Sequence, residues 1–495
     1  MKILLASSEV HPFSKTGGLA DMVGALGKAL AHAGHEARIV TPLYRGLREQ
    51  FPQIKKEDWQ FDLPLGTNRV RGELFSLEVE GGLTIFFIHQ PDFYHRNSYY
   101  MENDVGYADN AERFIFFSKG IAHLARYFSW QPDIVHVHDW QAALVPALIL
   151  NQKKNEGWGN PPPACLTIHN LAYQGIFPPE KFSLANLSPE FFNPEGVEFY
   201  GQLNCLKAGI VFADAITTVS PRYAREILTE EFGCGLDGLL RQKQKRLFGI
   251  LNGVDYAEWN TSENEFLVHS YSAAQLAGKT RNKLDLQAEL GLPVSKKIPL
   301  FGTISRLAQQ KGVDIQIATL EEMLSADIQF ILLGSGSPDY ERGYHELARR
   351  FPDKVAIHIG YDESLAHRIE AGCDFYIMPS LFEPSGLNQM YSLRYGTIPI
   401  VRAVGGLDDS IIDFTENAAS ANGIKFYDYS ARALAKAMRK ALAIYQEPRL
   451  LRRFRQNGMK SDFSWKQTVN EYLKIYQAAK TFSAEPDLQN AGRVP

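Results

Sequence analysis

The sequence predicts an α/β protein made of two doubly wound, parallel-sheet domains facing one another across a deep cleft. Three observations carry that reading. The chain has 495 residues, too many for one ordinary core. Short apolar runs with polar ends alternate with stretches of helical period, as in repeated βαβ units. The alternation occurs twice, and a polar, turn-rich piece, "NGVDYAEWNTSENEF" (252–266), separates the two runs. The domain boundary is placed there, and the cleft between two such domains is a usual ligand site.

The elements follow in order. "KILLAS" (2–7) reads as a buried strand. "LADMVGALGKALAHAG" (19–34) puts Leu19, Met22, Val23, Leu26 and Leu30 on one helical face, with Gly34 as a stop, and "ARIVTPLY" (37–44) is the next strand. Between them "EVHPFSKTGGLADM" forms a glycine loop at the carboxyl end of the first strand, where ligands gather in such sheets. "PDIVHVHDW" (132–140) and "PPACLTIHN" (162–170) are strands with polar ends, and "DAITTVSPRYAREIL" (214–228) is strand, turn, helix. The second run holds "KIPLFGTISRL" (297–307), "DIQFILLGSGS" (327–337), "KVAIHIGYD" (354–362), "CDFYIMPSLFEPSG" (373–386) and "TIPIVRAVGG" (397–406). The tail "SAEPDLQNAGRVP" (483–495) is polar and expected to be poorly ordered.

Composition narrows the function classes. Hydrophobic residues make up 45% and charged residues 22%, and 52 basic against 56 acidic residues give a net charge of −4. There is no basic excess of the kind that marks a nucleic-acid binder, so an anionic ligand must be held by local groups. The cysteines, Cys165, Cys205, Cys234 and Cys373, show no C-x-x-C spacing. That gives no case for zinc or a dithiol and fits a reducing, cytoplasmic compartment. "KILLASSEV" is too short and too soon polar for a signal peptide, and no apolar run reaches membrane-spanning length.

The phosphate-loop motifs fail. Lys15-Thr16-Gly17-Gly18 lacks the G-x-x-x-x-G-K-[ST] spacing. "AGKT" (277–280) has Ala273 where the first glycine belongs, and "GSGSPD" has Asp339 where the dinucleotide fingerprint needs its third glycine. A kinase or an NAD enzyme is disfavoured. What remains is a set of polar loops at strand ends. Gly17 and Gly18 let backbone approach an anion at a helix start, with Lys15 as a point charge; otherwise they form a tight turn beside a solvated lysine. Arg306 and Lys311 either clamp a diphosphate or are surface cations. Glu383 accepts from hydroxyls or offsets positive charge on a reacting carbon, or else caps the helix that Ser385 and Gly386 open. Asp139 and His169 end apolar strands, where a pocket belongs; each alone also suits a cap or loop. His136 and His138 share a strand face, but no carboxylate or cysteine spacing completes a metal site, so hydrogen-bonded core histidines are the favoured reading.

Taken together, "KTGGLADM", "HVHDWQAAL", "TIHNLAYQG", "NGVD", "SRLAQQKG", "EPSGLNQMYSLRYG" and "VGGLDDS" occur in an order that resembles bacterial glycogen synthase and plant starch synthase. The resemblance runs from Met1 to about Gln477. It implies a GT-B fold, with two Rossmann-like domains: 1–255 on the acceptor side, 256–461 on the donor side, a returning helix at 462–480, and a tail at 481–495. It implies transfer of glucose from ADP-glucose to the non-reducing 4-hydroxyl of an α-1,4-glucan such as glycogen, with retention and with neither a required metal nor a cofactor. Lys15, Arg306 and Lys311 would hold the diphosphate, with Gly18 adding a backbone contact. Asp139, His169, Asn170, Asn252 and Glu383 would line the glucose pocket, and Tyr361 would stack on adenine. Ser385, Gly386 and Leu387 would complete the donor contacts, and "FYHRNSYY" (93–100) would pack near the glucose. Asp139, His169, Arg306, Lys311 and Glu383 are the implied catalytic set. The implied mechanism is front-face displacement, resting on positioning and electrostatics. Two positions depart from related patterns. Ser385 stands where the family usually has cysteine, and Tyr391 stands where other retaining transferases of this fold often carry a second glutamate. The competing readings are a UDP-glucose-preferring synthase, a catalytically weak glucan- or nucleotide-binding protein, and an oxidoreductase. Oligomeric state is not legible.

Overall fold

The computed structural model describes residues 1–102 and 105–484. The chain divides into two compact units. The first comprises Met1–Val219, Ala224–Gly253 and the segment from Trp465; the second comprises Ser220–Tyr223 and Val254–Ser464.

The first unit is built on a nine-stranded sheet. Across it the strands run Leu247–Gly249, Ala215–Thr218, Ala164–Ile168, Ile134–His138, Lys2–Ala6, Glu36–Pro42, Leu83–His89, Asn68–Val79 and Lys55–Leu65. The first seven are mutually parallel; the last two form an antiparallel hairpin at the edge. "KILLA" is apolar after its first residue because the sheet is covered on both faces: Ile3 and Leu5 are fully buried and Leu4 nearly so. Helix Gly18–His32 buries Met22, Val23, Leu26 and Leu30, the predicted stripe. It also packs very close to the chain before it, since a Cβ on Gly24 would lie 2.7 Å from the His11 carbonyl oxygen. The final helix, Trp465–Ala484, belongs to this unit and buries Tyr472 and Tyr476 completely.

That helix corrects the boundary expected at 462–480. Ser464 is still extended, bridged to Val254, and the helix runs from Trp465 through Ala484, with the Thr481 hydroxyl donating to the Gln477 carbonyl at 3.2 Å. The helix therefore takes in residues 481–484, and the rest of the expected tail, 485–495, lies outside the described residues.

The second unit carries a six-stranded parallel sheet in the order Val355–Ile359, Gln329–Gly334, Leu300–Ile304, Phe375–Met378, Ile398–Arg402, Ile424–Phe426. Phe301, Phe330, Leu332, Phe375 and Ile377 form the centre of its core. Beneath the sheet Lys283 and Asp374, each about 4% exposed, pair at 2.6 Å, and Arg455 adds a bond to the same carboxylate at 2.5 Å. "AGKT" is part of helix Ala277–Glu289. Its Lys279 is buried and donates to the Thr397 hydroxyl (2.6 Å) and the Ala371 carbonyl (3.0 Å), a core lysine with no phosphate-loop geometry.

Both sheets reverse direction of growth at one place. In the first unit Lys2–Ala6 and Ile134–His138 are neighbours; in the second, Leu300–Ile304 and Phe375–Met378 are neighbours. Such switch points open a crevice at the carboxyl ends of the two strands. Among the described residues no helix is long and apolar enough to cross a membrane.

Candidate active site

At the first unit's switch point, the loop after Lys2–Ala6 is organised by Glu9, which the sequence reading passed over. Its carboxylate is buried and accepts the Thr16 hydroxyl at 2.7 Å, the Tyr100 hydroxyl at 2.6 Å and the Thr16 backbone N–H. Tyr100 also meets the Ser8 hydroxyl at 2.7 Å, so the segment 93–100 is tied to the glycine loop. A glutamate directly after an apolar strand was the available signal.

Lys15 is 41% exposed and pairs with Asp21 in the first turn of the helix at 2.7 Å. Gly18 is the first helical residue, and a Cβ on the preceding Gly17 would meet nothing within 4 Å, so this face of the loop is open.

Asp139 follows the neighbouring strand and sits in the left-handed region, φ 54°. That conformation is costly for a residue with a Cβ and is held by two hydrogen bonds. The Asp139 carboxylate accepts the backbone N–H of His169 (2.7 Å) and that of Asn170. Burial pushes its pKa from 3.8 to about 7 against these two donors, and the Glu9 charge adds to the rise. The pairing of Ile134–His138 with Ala164–Ile168 brings Asp139 and His169 together.

His169 Nε2 lies 3.0 Å from His138 Nδ1. Burial lowers His169 to about 3 and His138 well below its ordinary value, so both rings are neutral. Among the described residues, His138 Nε2 and Asn252 Oδ1 are buried with no hydrogen-bond partner, two polar atoms suited to an uncharged hydroxylated ligand. Asn170 turns its side-chain oxygen to the Ala172 N–H at 3.1 Å. His136 is a core residue: its nitrogens meet the Tyr476 hydroxyl (2.9 Å) and the Thr167 hydroxyl (2.6 Å).

The second unit's switch point joins two residues far apart in sequence. Lys311 donates to Glu383 at 2.6 Å, with the two side chains 20% and 8% exposed, and Ser380 donates to the same carboxylate oxygen at 3.0 Å. Gly312 makes this possible. Its φ is 71°, and a Cβ there would lie 2.1 Å from the Pro379 carbonyl oxygen. Arg306 is exposed, and among the described residues its guanidinium has no hydrogen-bond or ion-pair partner. Gly405 and Gly406 brace the Glu383 loop. The Gly406 N–H reaches the Glu383 and Pro384 carbonyls at 3.1 Å each, and a Cβ on Gly406 would lie 2.0 Å from the Ser385 oxygen.

The helix after Glu383 does not open at Ser385. It begins at Asn388, with Leu387 preceding it, because Gly386 adopts φ 67° and interrupts helical geometry. The Ser385 hydroxyl bonds the adjacent Gly386 carbonyl at 3.3 Å and caps nothing. Tyr361 stands on the loop after Val355–Ile359 and is 78% exposed.

Comparison with known proteins agrees over nearly the whole chain. Residues 2–242 match the starch synthase catalytic domain, and residues 262–461 match the glycosyl transferases group 1. A glycogen synthase of Anaeromyxobacter sp. (strain Fw109-5) is 45% identical over 481 residues, covering 97% of this chain and 99% of the relative. A glycogen synthase of Cellvibrio japonicus is 43% identical, covering 96% and 98%. The catalytic domain of starch synthase IV from Arabidopsis thaliana, solved bound to ADP and acarbose, superposes with a TM-score of 0.88 at 33% identity, covering 97% of this chain and 99% of that one. A sucrose-phosphate synthase from Thermosynechococcus elongatus shares the fold alone, with a TM-score of 0.61 at 17% identity.

Proposed function

The chain belongs to the glycogen synthase and starch synthase family of GT-B glycosyltransferases, and from that premise we propose that it transfers glucose from ADP-glucose to the non-reducing 4-hydroxyl of an α-1,4-glucan, with retention of configuration, in the cytosol. The observation that carries the reading is the Lys311–Glu383 pair at the second unit's switch point. It holds a cation and a carboxylate side by side where a leaving diphosphate and a sugar carbon need opposite charges. The ADP bound to the Arabidopsis starch synthase domain supports adenine as the donor base and, with acarbose, a glucan as the acceptor.

In this reading Arg306 and Lys311 hold the diphosphate and take up the charge that grows on it as the C1–O bond breaks. Lys15 and the Gly18 backbone add to that clamp, and Tyr361 stacks on the adenine. Asp139, His169, Asn170, Asn252 and Glu383 surround the glucose, with Ser385, Gly386 and Leu387 beside the phosphates. His169 is neutral and orients hydroxyls by hydrogen bonds without carrying charge. The acceptor hydroxyl attacks from the face the diphosphate leaves, and a diphosphate oxygen takes its proton. Glu383 is not assigned as a covalent nucleophile, a role that in retaining hydrolases belongs to a pair of carboxylates flanking the bond. The first unit handles the acceptor and the second the donor.

The test is incorporation of labelled glucose into glycogen from ADP-glucose and from UDP-glucose, followed by digestion with an α-1,4-specific exoamylase. The expected outcome is label from ADP-glucose, fully released by the enzyme. Label from neither donor overturns the transfer reading, and a clear preference for UDP-glucose overturns the donor assignment.

A further inference from the structure

A cluster in the second unit has no part in the proposed transfer. Glu363 and His367 stand four residues apart on helix Glu363–Gly372, a spacing that places both on one helical face. Glu258 comes from the turn-rich piece that opens this unit. One carboxylate oxygen from each glutamate and one ring nitrogen of His367 lie within 4.8 Å of one another.

The histidine is unusual. It is fully buried, and its ring is stacked on Trp259 with centroids 4.1 Å apart and planes within 15°. Nδ1 lies 2.8 Å from the Tyr395 hydroxyl, which also accepts from Asn264 Nδ2 at 2.9 Å; Asn264 Nδ2 is itself 3.2 Å from Nδ1. Nε2 is buried and, among the described residues, has no hydrogen-bond partner. A buried imidazole nitrogen left unpaired is costly unless something else takes its lone pair. The tautomer in which Nδ1–H donates to Tyr395 satisfies one nitrogen and leaves the other as a donor atom, the arrangement of a metal-ligating histidine held by an outer hydrogen bond.

We propose that Glu258, Glu363 and His367 bind a divalent transition-metal ion of the zinc class, through His367 Nε2 and one oxygen of each carboxylate. One imidazole with two carboxylates is a donor set such ions accept, with water in the remaining position. Both glutamates are exposed, so their side chains can draw in by about 1 Å to the ligand separations that bonds of roughly 2.0–2.2 Å require. The ion fastens the piece bearing Glu258 and Trp259 to the helix bearing His367, and its role is structural.

The experiment uses the full chain stripped with EDTA and titrated with zinc chloride in a calorimeter, with cobalt chloride as a visible-absorption probe. His367 is buried and its replacement endangers folding, so the test rests on the exposed pair, Glu258→Gln with Glu363→Gln, checked by circular dichroism. The wild type is expected to bind one equivalent of zinc, to show the visible bands of low-coordinate cobalt, and to melt at a higher temperature with zinc. The double variant should lose the cobalt bands and bind zinc more weakly by over about tenfold, since even outer partners of a metal are worth that much. Absence of stoichiometric zinc binding in the wild type overturns the proposal, and so does equal binding by the folded double variant.

Discussion

The two switch points use one topology with different chemistry. In the first unit the buried polar groups are neutral rings, an amide, an Asp139 carboxyl shifted toward its protonated form and the Glu9 carboxylate that gathers the glycine loop, while Lys15 sits partly in solvent against Asp21. In the second unit one cation is drawn inward while Arg306 stays exposed, and Lys311 lies against a carboxylate that is only 8% exposed. In the proposed function the difference suits what each crevice would bind. Hydroxyls are recognised by fixed dipoles and unpaired hydrogen-bonding atoms, whereas a departing diphosphate needs charge held ready in low dielectric. The same parallel-sheet crevice can be lined mainly by hydrogen-bonding atoms or by a close charge pair, depending on the residues at its strand ends.

The comparison is broken most directly at Glu383. Glu383→Gln keeps the shape and an acceptor for Ser380 but removes the negative charge, and turnover is expected to fall about 10²–10³-fold in the labelled-glucose assay. Activity within tenfold of wild type would take Glu383 out of the reacting site. Next come the two lysines side by side. Lys311→Ala should cost about 100-fold, chiefly in kcat. Lys15→Ala should cost about tenfold, chiefly in KM, because an exposed charge loses less of its interaction on removal. Equal losses from the two would erase the contrast between the units.

Smaller effects sharpen the first unit. Asp139 holds its proton more tightly folded than unfolded, so its favourable contribution is complete below its ordinary value of 3.8 and is lost as pH rises through about 7. Urea unfolding at about pH 5 and about pH 8 should show Asp139→Asn gaining on the wild type at the higher pH. A constant difference would mean that Asp139 titrates normally. Glu9→Gln removes the charge that gathers Thr16 and Tyr100 and should lower stability by about 1–3 kcal/mol, read from the same denaturation curves. A shift indistinguishable from zero would leave the glycine loop held by other means.

Much of this was legible in the residues. The parallel strands ended where apolar runs ended, because in doubly covered sheets burial dictates composition. The edge hairpin was not read. "KKEDWQFDLPL" is rich in charge on its exposed face, and its alternation of Trp59, Phe61, Leu63 and Leu65 was the overlooked signal. For the candidate site, the polar loops could be found singly but not paired. That Lys311 meets Glu383, 72 positions later, depends on Phe375–Met378 inserting beside Leu300–Ile304, and strand order is a tertiary choice that no local pattern records. Ser385 and Gly386 read as opening the helix because the φ of 67° at Gly386 is not visible in the sequence. Glu9 was passed over because a lone glutamate carries no spacing.

The final helix has a consequence for the order in which the molecule is made. His136, next but two to Asp139, is satisfied by Tyr476, a residue 340 positions further on. During synthesis the sheet that bears the first crevice must therefore wait, with its central histidine uncovered, while the whole second unit is translated and folds. A chain ending before Trp465 would hold every residue of the second unit and a first unit still lacking its last helix. Assembly thus runs against chain direction: the half that is begun first is closed last.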